Sequence, residues 1–254
     1  MPRYALLVEY DGTPFVGWQR QKDGMSVQQV LEEAAAPLNG GVEPVVGAAG
    51  RTDAGVHAEG QVAQVELAAD LPVERVRDAL NARTRPYPVS VLSVARPPER
   101  WSARFSAVHR VYRYRILNRR ARPGLDLGRV WHVPQLLDAG AMHEAAQGLL
   151  GHHDFSAFRA AACQAKDALR TLDRLDVSRF AEEIVVRVEA RSFLHHQVRN
   201  MVGTLAQVGR GARPVSWPRS VLDSRDRQRA GQTAPAEGLC FVSVRYEPGL
   251  EWPV

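Results

Sequence analysis

The chain has 254 residues, 45% of them hydrophobic and 24% charged, with a formal net charge of +5 from 33 basic and 28 acidic groups. That length supports one large core or two packed halves, and the balance is that of a soluble globular protein, not of a disordered or fibrous one. No apolar run approaches the ~20 residues that cross a bilayer, Glu9 and Asp11 interrupt any signal-like start, and Cys163 and Cys240 stand in no metal-ligand spacing and are expected as two buried, reduced thiols.

Arg3–Tyr10 reads as a strand that ends in the turn signal Asp11-Gly12. The following loop carries Phe15, Trp18, Gln19, Arg20 and Gln21, a mixture that suits either RNA contact or packing under the loop. Ser26 caps a helix, with Gln29 three residues on to complete a capping box. Its apolar stripe runs through Val27, Val30, Leu31, Ala34, Ala35 and Leu38, and Asn39-Gly40-Gly41 ends it. Strands are expected over residues 44–49 and 61–67, the second with clean apolar–polar alternation. A shorter helix follows Pro72 and a strand covers Val89–Val94. The order β-α-β-β-α-β is that of a ferredoxin-like unit.

The pattern repeats. Arg110–Leu117 is a strand, Asp138–Leu150 a helix, Thr171–Val177 and Glu183–Ala190 strands. Leu194–Val208 is an amphipathic helix with Val198, Met201, Val202, Leu205 and Val208 on one stripe. Ser216–Arg229 adds a helix, and Leu239–Tyr246 closes the half as a strand. The predicted fold is therefore α+β, with two pseudo-symmetric ferredoxin-like halves and a cleft between them. The halves meet near Pro97-Pro98, so that 1–97 carries the loop discussed next and 98–254 forms the second half.

Charge is concentrated where that second half begins. Residues 96–129 hold ten arginines against Glu99 and Asp126, or +8, which exceeds the net charge of the whole chain. Such a segment is the footprint of a polyanion-binding surface, with nucleic acid the first candidate.

Candidate chemistry lies in the string Gly50-Arg51-Thr52-Asp53-Ala54-Gly55-Val56-His57, a glycine-rich loop between two predicted strands. On an extended backbone Arg51 and Asp53 leave from one face, and a nearby guanidinium favours the charged form of a carboxylate. Tyr112 and Tyr114 share one face of their strand while Arg113 and Arg115 share the other, and alternation leaves open which face is core. Arg199 lies off the apolar stripe of its helix. His152-His153-Asp154 and His195-His196 do not make a metal site, because adjacent histidines on a helix or strand diverge and no H-x-x-x-H or C-x-x-C accompanies them. Nor is there a phosphate-binding P-loop, a dinucleotide fingerprint or a serine-nucleophile motif. A lone carboxylate also lacks the second acid of ordinary glycosidase chemistry. Two other classes are conceivable. A non-catalytic RNA-binding module would want aromatic residues on its central strands, and a metal-dependent nuclease would want clustered carboxylates; neither pattern is present.

The string GRTDAGVHA at Gly50–Ala58 resembles the catalytic motif of the tRNA pseudouridine synthase A family. EYDGTPFVGWQRQ (9–21), ARFSAVHRVYRYRILN (103–118), LLGHHDFSAFR (149–159), HHQVRNMVGTL (195–205) and AEGL (236–239) resemble its other motifs, in the same order and over nearly the whole chain. Residues 81–88 and Trp101 depart from the usual pattern without touching a motif position. The resemblance implies an isomerase that converts uridine to pseudouridine at positions 38, 39 and 40 of the tRNA anticodon arm. It implies a homodimer that needs no cofactor; the two thiols fit a cytoplasmic protein, and the ligand spacing argues against a metal. By position, Asp53 is the catalytic aspartate, and Arg51, Tyr112, Arg199 and Leu239 bind substrate.

Overall fold

The computed structural model describes residues 1–253. By their contacts they form two units, one of residues 1–108 together with the stretch from Phe241 onward, the other His109–Cys240. A linear cut at Pro97-Pro98 does not reproduce this division, because a late strand belongs to the first unit.

In the first unit β1 (Arg3–Tyr10) is followed by α1 (Val27–Ala35), β2 (Gly47–Ala48), β3 (His57–Glu66), α2 (Val73–Thr84) and β4 (Val89–Ala95). β1 pairs antiparallel with both β3 and β4. The sheet order is β4-β1-β3-β10, where β10 spans Leu239–Tyr246. The strand expected over residues 44–49 shrinks to two residues, opposite Gln64 and Ala63. β10 lies beside the same strand, with Val242 O against Gly60. Tyr246 is anchored by its hydroxyl, which donates to the Ala103 carbonyl at 2.7 Å.

α1 begins where Ser26 accepts from the Gln29 amide at 3.1 Å. Only half of the capping box forms, since the Gln29 side chain bonds Glu33 one turn on. A short 3-10 turn, Ala36–Asn39, completes the helix. The buried faces of α1 and α2 present Val27, Val30, Leu31, Ala34, Val76 and Leu80, which with Tyr4, Leu6, Val8 and Val65 make up the unit's core.

In the second unit β5 (Ala107–Leu117) precedes β6 (Trp131–His132), α3 (Ala139–Gln147), β7 (Gly151–Asp154), β8 (Leu169–Phe180), β9 (Glu183–Ala190), α4 (Gln197–Gly209) and α5 (Trp217–Ser224). The sheet order is β5-β9-β8-β7. β6 and β7 were not expected; β7 is the His-His-Asp stretch, an edge strand paired with β8. The helix expected over residues 216–229 stops at Ser224 and resumes as a 3-10 turn at Arg227–Arg229. α4 departs from its simple amphipathic reading. Asn200, Gly203 and Thr204, off the apolar stripe, are buried along with Met201, Val202 and Leu205. The covering segment is residues 231–234, and it packs so closely that a Cβ on Gly203 would lie 1.8 Å from the Gln232 carbonyl oxygen. Within the described residues no helix is long and apolar enough to cross a membrane.

Candidate active site

Asp53 sits in the turn between β2 and β3, half-exposed, between buried Thr52 and exposed Ala54. Main-chain bonds hold it from two directions. Gly17 and Asp53 form an isolated antiparallel bridge. The Trp18 amide donates to Thr52 O at 3.0 Å and the Val56 amide to Asp53 O at 3.2 Å. Gly17 has φ +110°, and a Cβ there would lie 2.7 Å from Thr52 O, so the bridge requires glycine.

Side chains brace the loop from below. The Tyr10 and Thr52 hydroxyls lie 2.8 Å apart. Gln61 donates from Nε2 to Gly50 O at 2.7 Å. The Gly12 amide donates to His57 Nδ1 at 3.0 Å. The Asp11 carboxylate lies 3.2 Å from the same nitrogen. Phe15 and Trp18, for which sequence left RNA contact open, are buried at 3% and 2% exposure and pack against Tyr87 and Tyr10.

Arg51 behaves differently from expectation. It is exposed, and its guanidinium has no hydrogen-bond or ion-pair partner among the described residues. The loop is closed by backbone bonds to Gly17 and Trp18, and no Arg51–Asp53 ion pair forms.

In the second unit the tyrosine face of β5 is the core face. Tyr112 pairs with Val188 in register and meets Phe193 edge-on at 5.2 Å between ring centroids. Tyr114, fully buried, donates its hydroxyl to Pro235 O at 2.7 Å. Burial pushes that hydroxyl well above the ordinary tyrosine value; the nearby Arg199 charge opposes the shift and Glu237 adds to it. Arg199, on α4, donates from Nε to Ala234 O at 2.8 Å. Leu239, at the start of β10, is buried at 5% exposure. Tyr114 therefore joins the neighbourhood of Arg199 although its role was not singled out. The signal was present in its sharing a face with Tyr112.

Two expectations about this unit are corrected. His195 and His196 do not diverge: His196 has φ 62°, in the left-handed region just before α4, and the two rings lie 4.0 Å apart. Cys163 is half-exposed, not buried. Burial pushes its thiol up, but the Ala165 and His195 amides and the Arg159 guanidinium outweigh that and bring it below the ordinary value.

Several arginines of the basic segment are consumed by the fold. Arg115 makes a bidentate pair with Glu183, both bonds at 2.8 Å, and bonds Asp126 at 3.1 Å. Glu183 raises its pKa most, burial opposes this, and Asp126 adds to it. Arg110 bonds the Arg191 carbonyl, Arg96 pairs with Asp70, and Arg119 pairs with Glu182 at 2.8 Å. Arg120 and Arg122 are exposed and unpaired among the described residues.

The fold is α+β, with an aspartate held out on a glycine-rich loop and an arginine-rich second unit, and the class it falls in is set by similarity to known proteins. A family described as tRNA pseudouridine synthase matches residues 6–106 and 145–247. The chain is 60% identical over 248 residues to a tRNA pseudouridine synthase A of Acidiphilium cryptum, covering 97% of both chains. It is 60% identical to that of Methylobacterium nodulans over 255 residues, covering the whole of both. It is 59% identical to that of Paramagnetospirillum magneticum, covering 97% of this chain and 96% of the relative. The chain belongs to the tRNA pseudouridine synthase family.

Proposed function

We propose that this protein isomerises uridine to pseudouridine at positions 38, 39 and 40 of the tRNA anticodon arm, with Asp53 as the catalytic group. The observation that carries the reading is the presentation of Asp53: a half-exposed carboxylate on a turn whose backbone is fixed by the Gly17 bridge and the Trp18 and Val56 amides. A family relationship over nearly the whole chain supports the substrate.

A stacked uridine hides its glycosidic carbon, so the base has to be flipped out at a cost of a few kcal/mol. Arg51, exposed and unpaired, is available to hold the vacated stack or a backbone phosphate. Asp53 then acts on the ribose, as nucleophile at C1′ or as base at C2′, while the C1′–N1 bond breaks. The uracil rotates and bonds C1′ through C5; the C5 proton is lost and N1 gains one, so the reaction is redox-neutral. Tyr112 lies against the target base, and Arg199 and Leu239 complete the substrate contacts. The protein works in the cytoplasm on tRNA, as a homodimer.

The test is incubation with unmodified, prefolded tRNA and mapping of pseudouridine by position. Pseudouridine at 38–40 supports the reading, and modification elsewhere or none overturns it.

A further inference from the structure

Arg227 has no carboxylate within reach among the described residues, yet all of its bonds point inward. Nη1 donates to Gly231 O at 3.0 Å, and Nη2 donates to Asn200 Oδ1 at 3.0 Å and to Thr233 Oγ1 at 3.1 Å. Asn200 is fully buried on α4; its Oδ1 also accepts from the Thr233 hydroxyl at 2.7 Å, and its Nδ2 donates to Phe158 O. Burial lowers the Arg227 pKa, as expected of a cation set among neutral acceptors. A guanidinium is suited to this task because its planar fork serves three acceptors at fixed angles.

Two of the three acceptors, Gly231 O and Thr233 Oγ1, lie on one segment, 231–234, that runs along α4, and the third is on α4 itself. Gly231 donates its amide to Thr204 Oγ1 at 3.0 Å. The Ala234 amide donates to Arg199 O at 3.1 Å, and Ala234 O accepts from Arg199 Nε. The next carbonyl, on Pro235, accepts from Tyr114. The Arg199 Nε bond therefore ends on the segment that Arg227 pins.

We propose that Arg227 is a positioning residue: by fixing residues 231–234 against α4 it sets the direction of the Arg199 guanidinium, which the proposed function places on the substrate. Arg227 acts through Arg199 and does not touch the reacting atoms.

Two measurements test this. The first does not depend on activity. In the wild-type protein the Arg199 Nε–H, bonded to Ala234 O, should exchange slowly with solvent in nitrogen-15 spectra. Arg227→Ala should abolish that protection with the far-ultraviolet circular dichroism unchanged. An Arg199 signal that keeps its shift and protection overturns the proposal whether or not the protein makes pseudouridine. The second is kinetic. Arg227→Ala should lower kcat by up to about 100-fold, since a small misplacement has that scale of effect, and Arg227→Lys should recover part of the loss. In an Arg199→Ala background, Arg227→Ala should cost no more than about 2-fold further. Losses that multiply would instead give Arg227 a merely structural role and sink the idea. Should Arg227→Ala fail to fold, Thr233→Val removes the hydroxyl shared by Arg227 and Asn200, and the same two outcomes apply. Absence of pseudouridine in the wild-type reaction would overturn the proposed function alone, leaving the spectroscopic arm decisive for Arg227.

Discussion

Asp53 and Arg199 are held by different means. Around Asp53 the main chain does most of the holding: a bridge to Gly17 and bonds from the Trp18 and Val56 amides, with Tyr10 and Gln61 bracing from beneath. Around Arg199 the fixing comes from side chains far apart in sequence, Asn200, Thr204, Arg227 and Thr233, acting on a segment that has no regular structure of its own. A backbone frame tolerates most side-chain changes and fails where a Cβ cannot fit. A side-chain frame fails when any one donor is removed, because a buried acceptor left unpaired costs about 1–3 kcal/mol.

The largest expected effect is at the centre of the backbone frame. Asp53→Asn should leave folding and tRNA affinity intact and abolish isomerisation, as read by positional mapping of pseudouridine. Substantial turnover in a correctly folded variant would remove Asp53 from the catalytic role. Next come the two glycines. Gly17→Ala and Gly203→Ala each place a Cβ against backbone, at 2.7 Å and 1.8 Å, and should destabilise by about 1–3 kcal/mol or more in urea titrations. The comparison is sharpened by what else each does: only Gly203→Ala should disturb the Arg199 Nε–H signal. Identical spectra for the two variants would erase the distinction between the frames.

A smaller effect concerns the basic segment. Because Arg119 already pairs with Glu182, replacing Arg120 and Arg122 by alanine should account for nearly all of the salt sensitivity lost in a triple Arg119, Arg120, Arg122 variant. The slope of log K against log salt for tRNA should flatten by about 1.4–1.8, two phosphates' worth. An equal contribution from Arg119 would mean that its ion pair opens when RNA arrives. Smallest is Ser26→Ala, which removes the α1 cap and should cost about 1 kcal/mol without altering kcat.

Much of the fold was readable because its signals are local. β9 carries alternation over its whole length, β1 and β10 are short apolar-rich runs bounded by turn signals, and the Ser26 and Asp138 caps lie beside the helices they start. The Asp53 loop was readable for the same reason, as eight consecutive residues. What could not be read was non-local. Nothing near β3 says that a strand as distant as β10 lies beside it, and nothing in the polar stripe of α4 says that residues 231–234 cover it. Arg51 was expected beside Asp53 because they are two residues apart, but the bonds that close the loop are main-chain ones, to Gly17 and Trp18, which no side-chain spacing announces. Equally, ten arginines in a row of 34 residues look like one surface until Glu182, Glu183, Asp70 and the Arg191 carbonyl claim four of them.

The placement of β10 beside β3 has a consequence for synthesis on the ribosome. About 130 residues separate the two stretches of the first unit. At about 5–20 residues per second, the edge of β3 that β10 covers stays without it for roughly 7–26 s after the rest of that unit has been made. An unpaired strand edge is a template for pairing with another chain. During that interval the nascent protein is most exposed to aggregation and to chaperone capture. Release from both should coincide with emergence of Leu239–Tyr246 from the exit tunnel, not with completion of β4.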